Sequence, residues 1–203
     1  MSRSLASRWV RPLSAASLLL AVAGCAATSV TDHSPSGAAS AGAAVIRSGQ
    51  LGRTLLVTDM ALPAHVEARA EREAEARAVA ARTIATLTSR EVVAAERLLG
   101  EAAGGDEARV LAAARANGFD NVIFLRIEDY QRNGELLVAV AVPPVAWKTE
   151  TAISLRFRVL EAADGTVLAD IRRDRVNGGF FALRKVEDLP AELDLALRSL
   201  VAA

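Results

Sequence analysis

Apolar and polar positions alternate over Thr151–Leu160, with Ile153, Leu155, Phe157 and Val159 on one side and Ser154, Arg156 and Arg158 on the other. That period predicts a strand with one covered face. Asp164-Gly165 supplies a hairpin turn, and Val167, Ala169 and Ile171 continue the apolar face on the returning strand. Upstream, Val122 to Leu125 is apolar on both faces, as in a covered central strand, and the pattern alternates from Arg126 to Tyr130. Asn133-Gly134 reads as a tight turn, Glu135–Val142 as a further strand, and Pro143-Pro144 as its stop. Asn177-Gly178-Gly179 reads as a loose, flexible loop.

Helical spacing appears in three places. From Ala64 to Thr88, behind Pro63, the first half mixes Ala with charge on all faces, including the Arg69/Glu73 and Glu73/Arg77 pairs. The second half carries a stripe of Val79, Ala80, Thr83, Ile84 and Leu87, so that half packs. Asp106 caps a helix over Glu107–Asn117 with Val110, Leu111 and Ala114 on one face, and Gly118 ends it. A last helix from Asp188 and Pro190 carries Leu189, Leu193, Leu197 and Leu200. With strands at Thr54–Thr58 and Ser89–Ala94, the order is β-α-β-α-β-β-β-β-α. This predicts an α+β domain: a mixed, mainly antiparallel sheet of about five strands with helices packed mainly on one face.

The amino-terminal stretch has a different pattern. Arg3, Arg8 and Arg11 precede an apolar run from Leu13, with no acidic residue among them. The run is shorter than the ~20 residues a spanning helix needs. It closes on Val22-Ala23-Gly24-Cys25, and Cys25 is the single cysteine of the chain. A basic front, a short apolar run and small residues at the end are the marks of a secretory signal. These four residues resemble the lipobox of bacterial lipoproteins, with Val22 in place of the usual leucine. The resemblance implies cleavage before Cys25 and a diacylglycerol on its thiol. Ala26, and not Asp, follows the cysteine. In Gram-negative lipoproteins that implies transfer to the outer membrane, with the domain facing the periplasm. The organisation expected is a signal peptide over 1–24, a lipidated cysteine and flexible tether over 25–50, and a single periplasmic domain over 51–203. The tether follows from its Ala, Ser, Gly and Thr content, too little apolar surface to offset ordering entropy. His33 lies within it and reads as solvated.

Composition narrows the function. The 203 residues carry 24 basic and 24 acidic side chains. Removing the signal leaves 21 basic against 24 acidic, a net charge of −3. This gives no basic excess for nucleic acid or anionic lipid. Aromatic residues are 4%, too few for stacking platforms. His33 and His65 are the two histidines, so a metal site built on His or Cys is not expected, nor is a cofactor. No Gly-x-Ser-x-Gly occurs, and the paired carboxylates Glu128-Asp129 and Glu187-Asp188 lack the arrangement of an acid–base pair. An enzyme is not expected. The candidate partner-binding residues are Pro143, Pro144 and Trp147 in one segment, and Phe180 and Phe181 in another, where apolar groups cluster in segments read as loops.

Residues Thr54–Asp59, the helix leading into Arg90-Glu91-Val92-Val93, the piece Ala112–Ile123 with its Gly118-Phe119-Asp120, and the Ile153–Leu168 hairpin together resemble a known group. It is the periplasmic domain shared by curli-secretion-channel lipoproteins and the lipoprotein activators of penicillin-binding proteins. The domain is also similar to the N-terminal domain of the Tol-system propeller protein. The resemblance covers most of residues 53–201. It implies a non-enzymatic, lipid-anchored partner-binding, assembly or accessory factor that meets another envelope protein. The alternative it implies is a subunit of an oligomeric outer-membrane secretion or transport complex. Curli-type channels carry long extra hairpins that build a pore. Gly134–Lys148 reads instead as one short apolar strand broken by two prolines, which argues against a pore.

Overall fold

The computed structural model describes residues 27–33, 45–100, 106–138, 145–180 and 189–202. In chain order the elements are β1 (Ala27–His33), β2 (Ile46–Arg47), a 3-10 turn (Ser48–Gln50), β3 (Thr54–Asp59), α1 (Arg69–Thr88), β4 (Val92–Ala94) and α2 (Glu96–Leu99). There follow α3 (Glu107–Ala116), β5 (Asn121–Val138), β6 (Val145–Glu161), β7 (Val167–Phe180), α4 (Leu189–Leu200) and β8 (Val201–Ala202). Six strands form one open sheet in the order β1-β7-β6-β5-β3-β4, and β2 pairs with β8 apart from it. β3 is parallel to both β4 and β5, and the β5–β6, β6–β7 and β7–β1 pairs are antiparallel. The α+β class and the mainly antiparallel sheet are as the sequence pattern predicts.

Burial explains the arrangement. Leu56, Ile123, Leu125, Ile153, Leu155, Phe157 and Ile171 form the apolar side of the sheet, and α1 and α4 close over it with Ala76, Val79, Ala80, Ile84, Leu193 and Leu197. Thr83 of α1 donates to Asp194 of α4 at 2.6 Å, joining the two helices. A smaller cluster lies on the other face, where Val110, Leu111 and Ala114 of α3 meet Leu55, Val57, Val122 and Leu160. Thus β3 and the start of β5 are covered on both sides, which is why their apolar residues run continuously.

Helix α3 shows how local chemistry fixes an end. Asp106 accepts from the Arg109 backbone at 3.2 Å. At the other end Gly118 has φ +68°, its amide reaches Arg115 O, and Phe119 N reaches Ala114 O. These two bonds are a Schellman closure, which needs a residue content with a left-handed backbone. Gly52 is required for a different reason. A methyl there would sit 2.2 Å from Asp120 Oδ2. That carboxylate already accepts from Arg53 N at 2.7 Å, while Asn121 Oδ1 accepts from Gly52 N at 2.8 Å.

Five expectations change. The segment 25–50, read as a flexible tether, supplies β1, which pairs with β7 along its length. It also supplies Ile46, which is buried. His33 is not simply solvated: its Nε2 lies 3.0 Å from Asp174 Oδ2. Asn133-Gly134 does not turn; Asn133 stands opposite Glu150 and Gly134 opposite Thr149 within a continuous β5–β6 ladder. Extending the ladder pairs apolar residues with apolar ones, Leu136 opposite Trp147 and Val138 opposite Val145. A turn at 133–134 would forgo those cross-strand pairs. Asn177 and Gly178 are not in a loop but within β7, bonded between β1 and β6. Finally, α1 starts at Arg69, because Ala68 takes a left-handed backbone with φ 51° and the chain before it is turned.

Candidate functional site

Sheet alternation puts a dense set of charges on the face of β5, β6 and β7 that α1 and α4 do not cover. Arg126 pairs with Asp59 at 3.2 Å. Arg156 grips Asp170 through two nitrogens, at 3.2 and 3.0 Å. Arg158 bonds Glu107 at the start of α3 and lies 3.8 Å from Asp170. Further along, Arg172 meets Glu128 at 3.3 Å and Asp174 at 3.1 Å, and donates to Ser154 at 3.0 Å. Asp59, Glu107, Arg126, Arg156 and Arg158 surround an open depression of about 200 Å³ floored in part by Phe124.

On this face Arg156 and Asp174 are shifted toward their charged forms. The Asp170 hydrogen bond raises the Arg156 guanidinium above its ordinary value. Burial works against the Asp174 charge, but Ser154, Arg172 and His33 together outweigh it and hold that carboxyl below the usual range. Asp174, held below the usual carboxylate range, is a poor proton carrier, since general acid–base work needs a group poised near the working pH. The paired arginines and carboxylates make a two-sign pattern that a complementary surface can read.

A second polar network lies on the core side, between β1, β7 and α4. Arg173 is fully buried and bonds both carboxylate oxygens of Asp32, at 2.6 and 2.8 Å, with Ser199 Oγ at 2.6 Å. Arg175 donates to Glu192 at 2.7 Å, and Asn177 reaches the other oxygen of Glu192 at 2.7 Å. The bidentate fork is the strong form of such a pair. Sequence reasoning missed this network. The signal for it was the alternation of β7 carried past Ile171, which places Arg173 and Arg175 on the core side.

The residues singled out from sequence fall as follows. Cys25, Pro143, Pro144, Phe181, Glu187 and Asp188 lie outside the described residues. Trp147 is in β6 opposite Leu136, and Phe180 ends β7 opposite Lys148, so the structure brings these two to one end of the sheet on adjacent strands. Both belong to strands where the sequence suggested loops. Glu128 meets Arg172, and the neighbouring Asp129 accepts from Gln131 at 2.8 Å; the register slips between Ile127 and Asp129. His65 is exposed in the turn before α1. Among the described residues no group of His, Cys, Asp and Glu is arranged to hold a metal ion. No described helix is long and apolar enough to cross a membrane.

No model of a known protein family matches the chain, and no curated protein does. Several solved structures are similar to it. The PelC dodecamer from Paraburkholderia phytofirmans is 14% identical over 85% of this chain and 96% of that one, with a TM-score of 0.44. Lipoprotein GNA1162 from Neisseria meningitidis is 16% identical over 71% of this chain and 94% of that one, with a TM-score of 0.43. The LpoB C-terminal domain from Escherichia coli is 16% identical over 61% of this chain and 82% of that one, with a TM-score of 0.37. With TM-scores below 0.5 these likenesses assign no activity to this chain.

Proposed function

We propose that the protein is a lipid-anchored lipoprotein of the bacterial envelope, held at the outer membrane through Cys25 and acting without catalysis as a partner-binding or assembly factor in the periplasm. The anchor reading is supported by the apolar run that ends in Val22-Ala23-Gly24-Cys25. The observation that carries the partner-binding reading is the charged sheet face. Arg126, Arg156 and Arg158 are held there by carboxylates around an open depression, and Arg172 is held further along the same face by Glu128 and Asp174. Such a preset pattern favours docking to a protein surface of alternating charge, with specificity from register more than from net attraction. We propose Pro143, Pro144, Trp147, Phe180 and Phe181 as candidates for a second contact, on the strength of the sequence alone.

Photo-crosslinking in the native envelope tests this. A crosslinker at Arg126 or Arg156 captures one specific envelope protein, and a crosslinker on the exposed side of α1, at Glu71, does not. Equal capture at both places would count against the charged face. A second reading, a subunit of an oligomeric secretion or transport complex, is favoured by the length of the β5–β6 ladder, Asn121–Val138 against Val145–Glu161. Size measurement of the detergent-extracted lipoprotein separates the two: a ring-sized particle supports the subunit, and a monomer removes it.

A further inference from the structure

One row of positions on the charged face runs straight across the sheet. Asp59 of β3 stands opposite Arg126 of β5, Arg126 opposite Arg156 of β6, Arg156 opposite Arg172 of β7, and Arg172 opposite His33 of β1. Directly opposite residues share a face, so these side chains form a single file on the side that α1 and α4 leave open. Three consecutive members are arginines. Like charges directly opposite each other on paired strands cost stability, and the row contains two such pairs, Arg126 with Arg156 and Arg156 with Arg172. Nor do these side chains fill the core: 64% of Arg126, 46% of Arg156 and 48% of Arg172 is exposed.

Carboxylates border the row on both sides. Asp170 and Glu107, the partners of Arg156 and Arg158, lie on one side; Glu128 and Asp174, the partners of Arg172, lie on the other. These pairs hold the arginines without using them up. A guanidinium has five N–H donors, and Arg156 gives Asp170 only Nε and Nη2. Arg126 meets Asp59 through Nε, and Arg172 meets Glu128 and Asp174 through Nε. Each arginine therefore keeps N–H groups at the surface for a further acceptor.

The spacing of the row selects the shape of what can meet it. Neighbouring strands lie about 4.8 Å apart, so the backbone distance from Arg126 to Arg172 is about 10 Å. An α-helical turn advances about 5.4 Å, so three acidic residues placed once per turn span about 11 Å. In an extended chain same-face residues are two apart, and three of them span about 13–14 Å. A helix lying across the strands thus puts one carboxylate over each arginine, while an extended segment falls out of step by about 4 Å. A flat anionic membrane is a poorer match. The paired groups of this face are Arg126, Arg156, Arg158 and Arg172 against Asp59, Glu107, Glu128, Asp170 and Asp174, four cations against five anions, with no net attraction. A narrow anionic file reaches the arginines and avoids the carboxylates beside them.

We propose that the row of Arg126, Arg156 and Arg172 is the docking track for an α-helix of a partner protein, one that carries an Asp or Glu once per turn on a single face and lies across the strands beside the start of α3. This rests on the reading of the charged face as a partner-binding surface and names the partner's chemistry. Specificity comes from the borders. Basic residues beside the acidic stripe meet Asp170 and Glu107 on one side and Glu128 and Asp174 on the other, and a helix acidic all round is repelled there.

The test uses two fluorescein-labelled helical peptides of identical composition, one with Glu once per turn on one face and the other with the same Glu residues spread over all faces. Circular dichroism checks that both are equally helical. Each is titrated with the full mature protein, extracted from membranes in dodecyl maltoside, at low salt. Fluorescence anisotropy is expected to show the striped peptide binding about tenfold more tightly than its isomer, the effect of three exposed ion pairs acting together. Arg156→Gln at the centre of the row lowers that affinity about threefold, and Arg126→Gln, the most exposed of the three, gives the same loss, with thermal unfolding confirming that both variants are folded. Arg77→Gln, exposed on α1, leaves it unchanged. Equal binding of the two isomers, binding of neither, or an equal loss in Arg77→Gln overturns the proposal. Self-association that Arg156→Gln abolishes gives the row to a second copy, and a photo-crosslinker at Arg156 that captures lipid in the native envelope gives it to the membrane; either result overturns the partner helix. Capture of an envelope protein there, with the two isomers bound equally, leaves the charged face as a partner site and removes the helix. Capture of nothing removes the charged-face reading, and the proposal with it.

Discussion

Arg173 is the residue that best shows how this chain departs from a reading by composition. Segment 27–33 is Ala-Thr-Ser-Val-Thr-Asp-His, with almost no apolar surface to bury. Its order comes from β7's backbone and from Asp32 meeting a buried guanidinium. Arg173→Ala leaves that carboxylate buried without its main partner. It is expected to destabilise by about 3–5 kcal/mol, read from urea unfolding. The double replacement Asp32→Leu with Arg173→Met is expected to recover most of that loss, since an apolar pair of similar volume needs no desolvated charge. Gly52→Ala is a second residue-scale test. Its methyl meets Asp120 at 2.2 Å, and the loss expected is about 1–3 kcal/mol. Neither residue stands out in sequence, because one is a charge inside a core and the other a glycine facing a side chain 68 positions away.

At the scale of elements, α1 and α4 hold the sheet, and a titratable bond joins them. Asp194 has its carboxyl lowered first by the Arg198 hydrogen bond and then by Thr83, against the opposing effect of burial. A carboxylate lowered in the folded state stabilises fully above its unfolded value of about 3.8 and loses that contribution as pH falls through the lower folded value. Stability is therefore expected to hold from neutral pH down to about pH 4 and to drop below it. Asp194→Asn flattens the acid limb, as denaturant midpoints across pH would show. Phe157, buried at the centre of β6, gives the packing counterpart: Phe157→Ala is expected to cost about 3–5 kcal/mol. The elements with strong periodicity, β6, α3 and α4, were legible because each buries one regular face. The turn at Asn133-Gly134 was not. Local turn preference was outweighed by the cross-strand partners that a longer ladder provides, and these lie in β6, far along the chain. Asn177 and Gly178 misled for the same reason: turn-type residues can sit in a strand held on both sides, and Asn177 in addition serves Glu192.

For the whole molecule, three surfaces follow from one sheet. One face is closed by α1 and α4, the opposite face carries the paired charges beside α3, and the edge at β7 is covered by β1. The α+β class and the candidate aromatic residues could be read in the pattern, but not the meeting of Trp147 and Phe180 at one end. That meeting needs the register of three strands. Nor could sequence reveal that residues 27–33 join the sheet beside β7. Deleting residues 27–33 from the folded chain is expected to lower Tm by several degrees by exposing the β7 edge and stranding Arg173, as calorimetry would register. Every part of the functional account depends on the anchor. Intact mass measurement of the protein extracted from bacterial membranes tests it directly. The account predicts a chain beginning at Cys25 and heavier than its amino acids by a diacylglycerol and an acyl group. A chain with a free Cys25 thiol, or one cleaved elsewhere, would contradict it.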